Sequence, residues 1–141
     1  MNIPDEYFKL ILQEFKDAEK LCKEAESPDD ALYFFSAFFG TINRVMNFHC
    51  DPVLVFMHQV LQSAHKAVLS RLEAKSSPGV TNNGVAEDTW NALFNNIPKL
   101  IKAFQSKDEK KIWPVLQTYA NIEYANCGNG RYLQLKGRLK L

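Results

Sequence analysis

Cysteine is scarce in this sequence and never occurs as a close pair. The three cysteines, Cys22, Cys50 and Cys127, are odd in number, widely spaced and outside any Cys-x-x-Cys motif. Neither a disulfide framework nor a thiolate metal site is therefore expected. The pattern instead predicts buried or partly exposed free thiols in a reducing cytosol.

Long apolar runs are also missing. No stretch approaches the roughly 20 apolar residues that a membrane-spanning helix needs. The first residues, MNIPDEYFKLILQEFKD, are charged throughout, whereas a signal peptide has an uninterrupted apolar segment. We therefore expect a cytoplasmic protein that makes no membrane contact.

Motifs for cofactor, metal or nucleophile chemistry are absent as well. The sequence has no glycine-rich phosphate loop of the GxGxxG or GxxxxGK[ST] type and no GxSxG element. His58 and His65 are seven residues apart, which on a helix is about 10.5 Å along the axis and too far to share one ion. They are expected at the edge of a helix core stripe. We predict no cofactor and no metal.

Charge is nearly balanced over the whole chain but not along it. Seventeen basic and sixteen acidic side chains give a formal net charge of +1, which offers no whole-chain argument for nucleic-acid or membrane binding. Arg131, Lys136, Arg138 and Lys140 contribute +4 after Cys127 with no acid, so the preceding residues sum to +1 − 4 = −3. A slightly acidic body carries a basic tail.

The body itself shows helical periodicity. Ser27-Pro28 and Asp51-Pro52 each place a capping side chain before a proline, which is typical of a helix start. Ser106-x-x-Glu109 fits a capping box, and Pro98 is expected to break or kink the fourth helix. We predict an all-α, irregular five-helix bundle forming one domain over residues 1–127, with a long loop at 75–86 inside it.

The second helix is expected to be central because its apolar face spans nearly half its circumference. Its predicted core residues are Ala31, Phe35, Phe38, Phe39, Ile42, Val45 and Met46. Gly40 lies on the opposite side, where another backbone could come close.

The segment 128–141 has a strand pattern rather than a helical one. Leucine alternates with polar or basic residues in LQLKGRLKL, so a strand would carry one apolar and one basic side. A single strand must pair with another surface. Three outcomes stay open: a dimerisation arm, a basic strand for an acidic partner or nucleic acid, and an extension packed on its own bundle. The expected binding residues are Leu133, Leu135, Lys136, Arg138, Leu139 and Lys140.

One motif points to chemistry. Arg44 and His49, in RVMNFH, have an Arg-x4-His spacing that resembles the motif of the HEPN family of small helical domains. The first two helices are similar in texture to the opening hairpin of such domains. The resemblance implies a dimer and RNA cleavage, with His49 as base or 2′-hydroxyl activator and Arg44 as phosphate clamp.

The sequence thus favours a small, cytosolic, non-catalytic helical interaction module that is homodimeric or binds another protein, with the tail and a helix face as contact surfaces. The alternative is a HEPN-like ribonuclease or toxin/antitoxin-type protein that uses Arg44 and His49.

Overall fold

Helices make up most of the described chain. The computed structural model describes residues 1–75 and 90–126, with the side chains of 1–69 and 90–122. The helices are α1 (Asp5–Glu24), α2 (Pro28–Met46), α3 (Pro52–Lys75), α4 (Ile97–Gln105) and α5 (Glu109–Asn126). Residues 90–95 are also helical. The described ranges contain no strand, so the all-α prediction is confirmed. The predicted tail and most of the predicted loop lie outside the described residues.

Two helix starts follow directly from the sequence. Ser27 is the N-cap of α2, and its hydroxyl accepts a hydrogen bond from the backbone N–H of Asp30 at 3.1 Å. Pro28 occupies the first turn, where its missing N–H costs nothing. Before α3, the Asp51 carboxylate accepts from the N–H of Val53 at 2.9 Å. Both cap-and-proline predictions are confirmed.

The predicted capping box between α4 and α5 is wrong. Ser106 is the C-cap of α4, and its hydroxyl accepts from the N–H of Asp108 instead of from that of Glu109. Lys107 adopts a positive φ of 59°, a left-handed turn that uses one more residue before the next helix begins. Asp108 then accepts from the N–H of Lys110 at 3.0 Å, and Glu109 is the first residue of α5.

Pro98 breaks the fourth predicted helix as expected. Residues 90–95 form one helical segment, Asn96 is a turn, and α4 begins at Ile97 with Pro98 in its first turn. Proline is tolerated there because the first N–H groups of a helix have no intrahelical partner.

The helices pack in a closed ring. The principal contacts join α1 to α2, α2 to α3, α3 to α5, α5 to α4, and α4 back to α1. Among these five helices each therefore has two main neighbours, and its apolar stripe is covered from both sides. Within the described part of the chain, no helix is long and apolar enough to cross a membrane.

Aromatic side chains fill the centre of the ring. The Phe15 ring lies 5.1 Å from that of Phe38 and 5.3 Å from that of Phe104, and the Phe35 ring lies 6.2 Å from that of Tyr119. All five of these side chains are fully buried. They join α1, α2, α4 and α5 through tilted ring contacts of the kind that aromatic pairs prefer.

The predicted core face of α2 is largely correct. Phe35, Phe38 and Ile42 are fully buried, whereas Phe39 and Met46 are half-buried at the edge of the stripe. No backbone approaches Gly40 among the described residues. A Cβ there would meet only Arg44 Nη1, at 3.8 Å.

The contacts also define the two ends of the bundle. Phe56 of α3 pairs with Trp113 of α5 at 5.1 Å, so these two helices begin at the same end, which also holds the short α2–α3 connection. The opposite end holds the α1–α2 turn. Because Phe35, near the start of α2, packs against Tyr119 in the second half of α5, α5 ends at the α1–α2 end.

Candidate functional site

His49 is held against the N-terminal residues. Its Nε2 lies 2.7 Å from the carbonyl oxygen of Asn2, and because a carbonyl only accepts, this nitrogen must carry the proton. The ring stacks on that of Tyr7, with centroids 6.3 Å apart. The backbone N–H of Asn2 donates to the buried carboxylate of Asp51 at 2.9 Å. His49 and Asp51 thus fix the approach to α1.

Arg44 has a different set of partners. Its Nη2 donates to the Thr41 hydroxyl at 3.1 Å and lies 4.0 Å from a Glu14 oxygen. The α1 partners of Arg44 and His49 are Glu14 and Tyr7, which are seven residues and therefore about 10.5 Å apart along the helix axis. The structure places the two residues of the Arg-x4-His motif in separate contacts with α1.

The other two histidines lie at the edge of the core, between α2 and α3. His65 Nε2 donates to the Leu32 carbonyl at 3.0 Å, and its ring lies 6.1 Å from that of Phe35 and 5.2 Å from that of Phe39. His58 makes an edge contact with Phe39 at 6.2 Å. Burial lowers the pKa of His65, and its hydrogen bond to Leu32 partly offsets this. Residues 1–69 and 90–122 hold no group of three side chains that could bind a metal ion.

The six predicted binding residues of the tail lie outside the described residues. They are Leu133, Leu135, Lys136, Arg138, Leu139 and Lys140. The end of α5, which precedes them in the chain, is described. Asn126 ends α5 about 10.5 Å beyond Tyr119 along the helix axis, at the α1–α2 end of the bundle.

An exposed aromatic pair lies at the opposite, α2–α3 end. Phe56 is 55% and Trp113 38% exposed, although their rings touch in an edge-to-face arrangement. Exposed Gln59 follows Phe56 by one turn, and exposed Lys110 precedes Trp113 by one turn. We call these four residues the aromatic face. Large aromatics with a polar rim are characteristic of protein-binding surfaces.

The aromatic face was not predicted from the sequence. The sequence nevertheless contained a signal for it. Phe56 lies outside the stripe of α3 core residues that includes Val53 and Met57, and Trp113 lies outside the stripe of α5 core residues that includes Ile112 and Leu116. Large aromatic residues outside a well-defined core stripe are candidates for contact surfaces.

A cavity of about 440 Å³ opens at the α1–α2 end. We call it the end cavity, and its lining includes Glu19, Cys22, Ala31, Trp90, Phe94 and Ile97. The Trp90 and Phe94 rings lie 4.4 Å apart and form an aromatic wall. The Cys22 thiol donates to the Ala31 carbonyl at 3.7 Å. Burial, helped by the nearby Glu19 charge, raises the pKa of Cys22 to about 11, so the thiol is protonated at neutral pH.

Comparison with known proteins adds no relative. No family model, no curated protein and no solved structure matches this chain.

Proposed function

We propose that this protein is a small, cytosolic, non-catalytic interaction module that forms a homodimer. It uses the aromatic face to bind another protein, and the basic C-terminal segment is a contact element between the two copies. The observation that carries the proposal is the Phe56–Trp113 pair, two large rings that contact each other at the α2–α3 end of the bundle and are 55% and 38% exposed.

These two rings are exposed and also contact each other across α3 and α5. Aromatic side chains stabilise a core when buried, and Phe8, Phe15, Phe35, Phe38 and Phe104 are all buried here. Phe56 and Trp113 contact each other instead, which fixes their orientation while leaving most of the Phe56 ring accessible. A rigid, preordered aromatic anchor loses little conformational entropy on binding.

The rim indicates the chemistry of the partner. Lys110 is exposed one turn from Trp113, and its nearest acidic neighbour in sequence, Glu109, is engaged with the Met1 amino group. A partner segment that presents an apolar anchor with a flanking acidic residue would satisfy both parts of the face.

A selection experiment tests the aromatic face. A random peptide library displayed on phage is panned against the full chain and counter-selected against Phe56→Ser. We expect enriched peptides with an apolar anchor beside Asp or Glu, which lose most of their binding to Phe56→Ser and retain it with Tyr33→Ser. Tyr33 is a suitable control because it is 74% exposed on α2, outside the aromatic face. Equal binding to wild type and Phe56→Ser would refute the role of the face.

Two further measurements test the rest of the proposal. Sedimentation equilibrium of the full chain should give the mass of a dimer, and a monomer at all accessible concentrations would refute the homodimer. Incubation with single-stranded RNA should leave the RNA intact. Cleavage that disappears in His49→Ala would overturn the non-catalytic assignment in favour of a ribonuclease.

A further inference from the structure

We propose that the end cavity of one copy binds the C-terminal segment, residues 131–141, of the second copy in the dimer. This inference rests on the proposed homodimer and assigns its contact surface. The structural observation behind it is that the cavity, an acidic surface and the root of the basic segment occur at the same end of the bundle.

The lining of the cavity suits leucine side chains. Ala31, Trp90, Phe94 and Ile97 supply apolar walls. The volume, about 440 Å³, is roughly three times the ~150 Å³ cavity that truncation of one buried leucine leaves. More than one leucine of an extended segment could therefore enter.

Acidic side chains flank the cavity on the side formed by α1 and α2. Residues 19–30 contain five acids, Glu19, Glu24, Glu26, Asp29 and Asp30, against Lys20 and Lys23, which gives 2 − 5 = −3. Glu24, Glu26, Asp29 and Asp30 are exposed. Such a surface attracts a cationic segment and raises its association rate.

The C-terminal segment has the complementary chemistry. Leucines occupy positions 133, 135, 139 and 141, and Arg131, Lys136, Arg138 and Lys140 supply four positive charges without an acid. An extended segment would direct its leucines into the cavity, while the long basic side chains reach the flanking acids.

The proposed homodimer assigns the segment to a second copy. Because the segment follows Asn126 at the same end as the cavity, two bundles that meet at their α1–α2 ends can each donate a segment to the other. The two contacts are then identical and close the assembly at a dimer. The aromatic faces remain free at the far ends.

The first experiment is a charge exchange in the full chain. Two double variants are each expected to raise the dimer Kd about tenfold, because repulsion replaces the attraction between the basic segment and the acids beside the cavity. They are Glu24→Lys with Glu26→Lys and, separately, Lys136→Glu with Arg138→Glu. All four changes together should restore the Kd towards that of wild type. Glu6→Lys with Asp17→Lys makes the same change of charge elsewhere on α1 and should have no effect. Lysine at position 24 should not destabilise α1, because cations are favourable at a helix C-terminus.

The second experiment reports occupancy of the cavity. In a Cys50→Ser, Cys127→Ser background, the alkylation rate of Cys22 measures access to the cavity lining. At a total protein concentration ten times the Kd, about four-fifths of the chains are dimeric, so alkylation should be about fivefold slower than in dilute protein. The Glu24→Lys, Glu26→Lys variant should lose most of this protection.

The outcomes separate the two proposals. If wild type is a dimer but no charge change alters its Kd or the alkylation rate of Cys22, this inference is overturned and the homodimer is retained. A wild-type monomer overturns the homodimer itself. If Cys22 of wild type is alkylated more slowly than Cys22 of the Glu24→Lys, Glu26→Lys variant at every protein concentration, the segment binds its own bundle. That result overturns the assignment to a second copy.

Discussion

The hydroxyl of Tyr119 offers the sharpest test of the packing. Its side chain is fully buried, and the hydroxyl donates to the carbonyl of Leu93 at 3.1 Å. This bond ties the second half of α5 to the helical segment at 90–95. Tyr119→Phe keeps the ring, and with it the contact to Phe35, and removes only the hydrogen bond.

The expected loss follows from the acceptor left behind. A buried carbonyl deprived of a donor costs about 1–2 kcal/mol of the free energy of unfolding. For a chain of 141 residues, that corresponds to a melting temperature lower by about 3–8 °C. The change in ring volume is small, so no cavity contribution is expected to add to it.

Urea denaturation followed by circular dichroism measures this loss. The control is Tyr33→Phe, which removes a hydroxyl from an exposed ring and should change the free energy of unfolding by less than about 0.5 kcal/mol. If Tyr119→Phe is as stable as Tyr33→Phe, the hydrogen bond to Leu93 does not contribute as inferred.

A pH series gives an independent check. Burial raises the pKa of Tyr119 well above its ordinary value near 10. Above pH ~10 the phenol ionises in the unfolded state but stays protonated in the folded state. The unfolded state then binds fewer protons, so the free energy of unfolding falls as pH rises. Wild type should therefore lose stability above pH ~10 faster than Tyr119→Phe does. Parallel pH profiles would refute the burial argument.

Three further predictions concern single positions. Ser27→Ala removes the α2 cap and should lower the free energy of unfolding by about 1 kcal/mol in urea denaturation. Gly40→Ala should raise the melting temperature by about 2–4 °C, because only Arg44 Nη1 lies near the added methyl and alanine is the better helix former; a lower melting temperature would contradict the open space. Since burial lowers the pKa of His65, the unfolded imidazole protonates first, and stability should fall as pH drops below about 6.5. His65→Phe should flatten the pH dependence of unfolding between pH 7 and 5, and an unchanged slope would contradict the assignment.

Local rules predicted the helices well because each start carries its own chemistry. Ser27 and Asp51 are capping residues before prolines, and both act as N-caps in the structure. The periodicity of α2 predicted the burial of Phe35 and Phe38 for the same reason, since helical spacing alone decides which residues share a face.

The failure at Ser106 shows where such rules stop. The capping box was correct in residue type, but the left-handed turn at Lys107 displaced the start of α5 to Glu109. That turn is accompanied by contacts of Lys107 with residues far away in sequence. Its Nζ lies 3.2 Å from Asp5 and 4.4 Å from the centre of the Phe8 ring, and no local pattern encodes such contacts.

Surfaces were harder to predict than the core. The aromatic face exists only because α3 and α5 bring Phe56 and Trp113 together from 57 residues apart in sequence (113 − 56). The end cavity likewise combines α1, α2 and the start of α4. Helix periodicity describes single helices, whereas these two features depend on how the helices pack around the ring.

The closed ring has a consequence for synthesis of the chain. Phe15 contacts Phe104 of α4 and Phe35 contacts Tyr119 of α5, and both of these helices begin more than 50 residues after α2 ends at Met46. At about 5–20 residues per second, the ribosome needs several seconds to supply them. During that interval the nascent α1–α3 segment presents uncovered phenylalanine, so we expect it to be a substrate for chaperones that bind apolar nascent chains.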